Sequence, residues 1–235
     1  MYEEKINAYF DAPERRAELV EAISRLVRIR SVREEPLPGM PFGPGPAAAL
    51  AEGLKLAEEL GFATRNYDNY VGTADLNDKE TALHILCHLD VVGEGTGWTV
   101  TEPYAPKEVD GMLYGRGTDD DKGPVAAVLL AMKAVKELGV PLRRNARLLM
   151  GTDEESGSSD IAYYYAREPY APYAFSPDAE FPLINIEKGR FAPVFRGRWP
   201  RQKEGARVLS VVGGQRHNAV PQQARATVAG LSPAK

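Results

Sequence analysis

The chain has 235 residues, a formal net charge of −4, 43% hydrophobic and 26% charged residues, room for one large domain or for one domain and part of another. This mildly acidic balance gives no electrostatic reason to expect nucleic acid or an anionic membrane as partner. The single cysteine, Cys87, excludes an internal disulfide framework and suits a reducing compartment. Without a run of about 18 apolar residues no membrane span is expected. The N-terminus is charged from Glu3 onward and has no apolar stretch, so it does not read as a signal peptide. The expected location is cytoplasmic.

Residues 2–29 read as helix, broken or restarted at Pro13, because Leu19, Ile23, Leu26 and Val27 recur at helical spacing. Residues 31–46 are rich in Pro and Gly and read as loop, and Pro46 suits the first turn of a helix over 47–60 that Gly61 stops. Strand-like runs follow at 62–67, 71–76 and 82–89; the last is nearly all apolar, as expected of a central strand covered on both faces. From 90 to 121 the reading is loop, with a hairpin turning at Asp110-Gly111. A helix over 122–138 ends at Gly139, and a buried strand covers 147–151. A short helix over 160–167, a strand over 173–175 and another over 183–189 complete this part. After Gly189 helices vanish and strands are expected at 191–195, 208–212 and 224–229, which puts a domain boundary near residues 188–190.

Alternating strands and helices point to an α/β fold, an open sheet with helices on both faces. Ligands in such sheets collect at the carboxyl ends of the strands. His88 and Asp90 close one strand, Glu154 and Glu155 follow the 147–151 strand, and Asp178 follows the 173–175 strand. Asp120, in the run Asp119-Asp120-Asp121, sits at the start of the 122–138 helix. So many carboxylates on one rim call for a cation. His88 alone would read as a hydrogen-bonded core histidine; with Asp90, Asp120, Glu155 and Asp178 the metal reading outweighs it. A mixed imidazole and carboxylate set suits zinc or another divalent first-row ion better than magnesium. Asp90, two residues after His88, would face the same side and accept the second ring N–H. Of the adjacent pair Glu154-Glu155, one can ligate metal while the other serves a metal-bound water as general base.

The segments His88-Leu-Asp-Val-Val, Tyr114-Gly-Arg-Gly-Thr-Asp-Asp-Asp-Lys-Gly-Pro, Thr152-Asp-Glu-Glu-Ser-Gly and Ser176-Pro-Asp-Ala-Glu-Phe-Pro resemble the M20 family of metallopeptidases. Within it, Asp-Asp-Lys-Gly-Pro and Pro-Asp-Ala-Glu-Phe-Pro look most like the bacterial PepV-type dipeptidases. The resemblance implies a mixed, mostly parallel sheet of the zinc exopeptidase type over 1–188, followed at 189–235 by the start of an α+β lid domain. It implies two zinc ions per complete site, with cobalt or manganese as substitutes. His88 and Asp178 would hold one ion and Glu155 the other, Asp120 would bridge them, Glu154 would be the general base and Asp90 the partner of His88. Asp121 would follow Asp120 through a cis peptide, and Asp119 takes no role. In Gly213-Gly-Gln-Arg-His-Asn-Ala-Val-Pro221, Asn218 matches a substrate-contacting lid residue, while His217 matches none.

One further histidine ligand of the family lies in a C-terminal segment this chain lacks, so the chain is expected to be an N-terminal portion of a longer polypeptide. The implied activity is zinc-dependent hydrolysis of a dipeptide amide bond, with a small peptide as substrate. A sibling reading is an N-acyl amino acid deacylase or desuccinylase. A reading of another class is a metal-binding half that needs a complementary C-terminal segment, or an inactive remnant. Magnesium-dependent phosphoryl transfer would leave His88 unexplained and lacks a phosphate-binding loop of the P-loop type.

Overall fold

The computed structural model describes residues 2–180, 182–186, 189, 191–198, 205–214, 221 and 223–231. The chain divides into two units, Met1–Leu183 and Ile184–Lys235. The boundary expected near residues 188–190 falls where only Gly189 is described.

In the first unit, helix α1 (Tyr2–Phe10) is separated from α2 (Pro13–Val27) because proline has no N–H to continue a helix and its fixed φ suits a first turn. Helix α3 (Pro44–Glu59) opens earlier than the sequence suggested, since Gly43 at φ +94 makes the sharp entry and Pro44 takes the first position. Strands β1 (Ala63–Tyr67), β2 (Val71–Asp75), β3 (Thr81–His88), β6 (Asn145–Gly151) and β7 (Tyr173–Phe175) form one sheet in the order β1-β2-β6-β3-β7. β2 is antiparallel to both β1 and β6, while β3 is parallel to β6 and β7. Four of the five strands therefore point the same way. Strands β4 (Lys107–Val109) and β5 (Met112–Tyr114) make the hairpin expected from Asp110-Gly111, both at positive φ, as a two-residue turn requires.

Side chains alternate across the sheet, and this places the helices. Leu148 points into the larger core with Leu26 of α2, Leu50 and Leu54 of α3, and Val125 and Leu129 of helix α4 (Lys122–Glu137). Its neighbour Leu149 points to the opposite face, where Tyr67, Val71 and Tyr164 of helix α5 (Ser159–Tyr165) cover it. Both faces of β6 are thus sealed, as its apolar run demands.

In the second unit, β8 (Arg207–Gly213) pairs antiparallel with β9 (Ala224–Ala229). Where strands were expected at 183–189 and 191–195, the described residues 183–186 and 191–195 are irregular, and Leu183, Ile186, Phe191 and Phe195 are exposed. An apolar run becomes a strand only where a neighbour accepts its backbone hydrogen bonds, and none among the described residues does. No helix among the described residues is long and apolar enough to cross a membrane.

Candidate metal centre

The parallel direction of β3, β6 and β7 brings their carboxyl ends to one rim, the expected place for a site in this architecture. His88 is the last residue of β3 and sits beside Gly151, the last residue of β6. Asp178 lies three residues beyond β7, Glu154 and Glu155 occupy a single 3-10 turn (Glu154–Ser156) after β6, and Asp120 and Asp121 lead into α4.

His88 is buried, and its Nε2 is the point on which the carboxylates converge. Asp120 Oδ1 lies 3.0 Å away, Asp178 Oδ2 3.4 Å and Glu154 Oε2 4.0 Å. Among the described residues, His88, Asp120 and Asp178 offer ligand atoms all within 4.8 Å of one another. Nε2 is nevertheless buried without any group in hydrogen-bond geometry. On the other side of the ring, Nδ1 sits 3.0 Å from the Asp90 carbonyl oxygen and 3.4 Å from Asp90 Oδ1. When Nδ1–H donates to that carbonyl, the Nε2 lone pair faces the carboxylate oxygens, an arrangement that needs a positive charge between them. A divalent ion fits this donor set, so the residues present match the metal the sequence implied.

The electrostatics agree. Burial works against a charged imidazole, but the carboxylates of Asp120 and Asp90 overcome it and hold His88 up at about 12. The same contact with His88 holds Asp120 below its ordinary range, with Arg116 adding to the effect. Partial desolvation pushes Glu155 and Asp178 up, reinforced by Asp120, and raises Glu154. This is a crowded anionic rim on which a proton at Nε2 takes the place a metal ion would otherwise fill.

Not every expected role is placed where the sequence suggested. Asp90 faces His88 Nδ1 mainly through its backbone oxygen. Its buried carboxylate, with Oδ1 3.4 Å from Nδ1, also accepts the backbone N–H groups of Glu154 and Glu155, each at 3.1 Å. Asp121 follows Asp120 through a cis peptide, yet it does more than shape the backbone. Its side chain is fully buried and accepts the His88 backbone N–H at 2.8 Å, and burial raises its pKa to about 7. Asp119 is exposed. Asn218 and His217 lie outside the described residues. Two buried carboxylates escaped the sequence reading: Asp153, and Asp160, whose Oδ2 accepts the N–H of Thr152 at 2.6 Å and of Asp153 at 3.0 Å. Gly151 was the available signal for Asp160, since a Cβ there would come within 2.5 Å of Asp160 Oδ2.

With this geometry established, known proteins offer a comparison. Residues 84–195 match the family model described as "Peptidase family M20/M25/M40". The Bacillus subtilis (strain 168) protein named "Putative dipeptidase YtjP" is 39% identical over 220 residues, which cover 92% of this chain and 47% of that protein. A Staphylococcus saprophyticus relative, also named as a "Putative dipeptidase", is 37% identical over 234 residues, covering 97% of this chain and 48% of its own length. The crystal structure of human carnosine dipeptidase 1 superposes with a TM-score of 0.63 at 28% identity, over 75% of this chain and 41% of that one. The chain spans about half the length of the curated relatives it matches.

Proposed function

We propose that the whole protein, whose residues 84–195 match the model of peptidase family M20/M25/M40, hydrolyses dipeptide amide bonds at a two-zinc centre on this rim. The observation that carries the reading is His88 Nε2, buried, facing two carboxylate oxygens at 3.0 and 3.4 Å and lacking hydrogen-bond geometry to any described group. The names of the relatives support the dipeptidase class.

In this reading His88, Asp120 and Asp178 would hold one ion, and Glu155 together with Asp120 would contribute to a second. The ions would supply a polarised scissile carbonyl and a water of lowered pKa. Glu154 stands at the open side of the rim with Oε2 4.0 Å from His88 Nε2; it takes the proton of the attacking water and returns it to the leaving amine. Asp90 ties the two halves together: its carbonyl holds the imidazole and its carboxylate holds the turn that carries Glu154 and Glu155. Asn218 contacts the substrate. Residues 1–188 form the catalytic part and 189–235 begin a lid, and the protein works in the cytoplasm, where Cys87 stays reduced.

The test is Glu154→Gln in the full-length protein. Turnover of a dipeptide panel should fall by about 10²- to 10⁴-fold, while zinc content by elemental analysis stays at the wild-type value. Full activity of this variant would remove Glu154 from its role.

A further inference from the structure

Four segments carry the residues assigned to the metal centre, and one short segment of irregular chain after α2 reaches three of them, all but the one that carries Asp178. Ser31, fully buried, donates its hydroxyl to the Leu89 carbonyl at 2.6 Å and accepts the Val91 N–H at 3.2 Å, so it brackets Asp90. Two residues earlier, the Ile29 carbonyl accepts Lys122 Nζ at 2.7 Å. Lys122 is fully buried and directly follows Asp120-Asp121. Two residues later, the Arg33 guanidinium pairs with Asp153, the residue before Glu154. Asp153 is fully buried, and its other oxygen accepts the Ser159 N–H at 3.2 Å and hydroxyl at 2.5 Å.

The segment is itself seated. A Cβ at Gly45 would overlap the Arg30 carbonyl oxygen, so α3 lies directly against it, and the Glu34 N–H donates to the Phe42 carbonyl at 3.0 Å. The Arg33 guanidinium stacks over the Phe42 ring at 5.1 Å. Residues 29, 31 and 33 thus each project to a different turn from a segment held against α3. A buried carboxylate such as Asp153 needs a cation and hydrogen bonds to remain in place, and a guanidinium stacked on a ring is the rigid donor for that task.

We propose that residues 29–33 act as a positioning strap that sets the spacing of three of the four ligand-bearing segments, those of His88–Asp90, Asp120 and Glu154–Glu155. Arg33 is its positioning residue for the Glu154–Glu155 turn, acting through Asp153. The functional meaning of the strap rests on the metal-centre reading; its mechanical role does not.

The test is hydrogen exchange by mass spectrometry on the chain with Arg33→Ala and Arg33→Lys. Arg33→Ala should speed exchange of residues 152–157 by about 10-fold or more while β3 and β6 stay protected, and Arg33→Lys should restore part of the protection. In the full-length protein the same Arg33→Ala change should lower kcat with KM and zinc content held. Unchanged exchange at 152–157 would overturn the proposal. So would a rise shared equally by β6 and α4, which would make Arg33 a residue of general stability. Loosening confined to 152–157 in a protein that hydrolyses no dipeptide in any form would uphold the strap and refute the dipeptidase reading instead.

Discussion

Asp90→Asn probes the joint that holds the rim together. The Asp90 carboxylate is buried and its two oxygens accept the N–H groups of Glu154 and Glu155, each at 3.1 Å. Asparagine has the same shape, so it leaves no cavity. Its carbonyl oxygen keeps one of these bonds, and its NH2 group meets the other N–H donor to donor. A hydrogen bond to a charged acceptor contributes about 1.5–3 kcal/mol, and a buried N–H left unpaired costs about 1–3 kcal/mol. The two describe the same lost bond and do not add, and relief from burying a carboxylate offsets part of the cost. A net loss of about 2 kcal/mol follows, which for a unit of this size lowers Tm by about 4–8 °C. Thermal unfolding by circular dichroism at pH 7, without added metal, measures it directly. A Tm within about 1 °C of wild type would mean that the Asp90 carboxylate does not hold the turn.

Other outcomes follow from the same geometry. Leu148→Ala, at a fully buried position in the larger core, should destabilise the chain by about 2–5 kcal/mol in denaturant unfolding, whereas Val211→Ala, exposed on β8, should stay within about 0.5 kcal/mol. Zinc at 100 times its Kd should stabilise the wild-type chain by about 2.7 kcal/mol, and His88→Ala should lose most of that gain; an undiminished zinc shift would exclude His88 as a ligand. Burial lowers the pKa of His84, which also meets Tyr165 Oη through Nδ1 at 2.9 Å. The folded chain therefore releases this proton while the unfolded chain keeps it up to about pH 6.5, so His84 makes stability rise with pH up to that point and leaves it flat above. His84→Asn should flatten the dependence of Tm on pH below about 6.5, and an unaltered slope would rule the group out.

Much of this molecule was legible before its fold. Apolar runs at 82–89 and 147–151 announced strands sealed on both faces, and Asp110-Gly111 announced a tight hairpin, because period and turn chemistry are local properties. The runs at 183–186 and 191–195 carried a similar apolar signal yet are irregular, since pairing requires a partner that no local pattern supplies. His88, Asp120 and Asp178 were legible as a group because each follows or precedes an element whose end lies at the strand rim. Their convergence within 4.8 Å depends on β3 running parallel to both β6 and β7.

The amino-acid sequence alone determined which chemistry sits on the rim, one imidazole among several carboxylates, and the order of elements that delivers it there. Tertiary structure decided how those groups are held. It brought the Asp90 carboxylate onto the Glu154–Glu155 turn as well as beside the imidazole, buried Asp121 under the His88 backbone, and set Lys122 and Asp153 as anchors for the 29–33 segment, 93 and 120 residues away in sequence from their partners in it. The physical reason is burial. A carboxylate or ammonium removed from water must find hydrogen bonds, and which ones it finds depends on what the folded chain brings within reach.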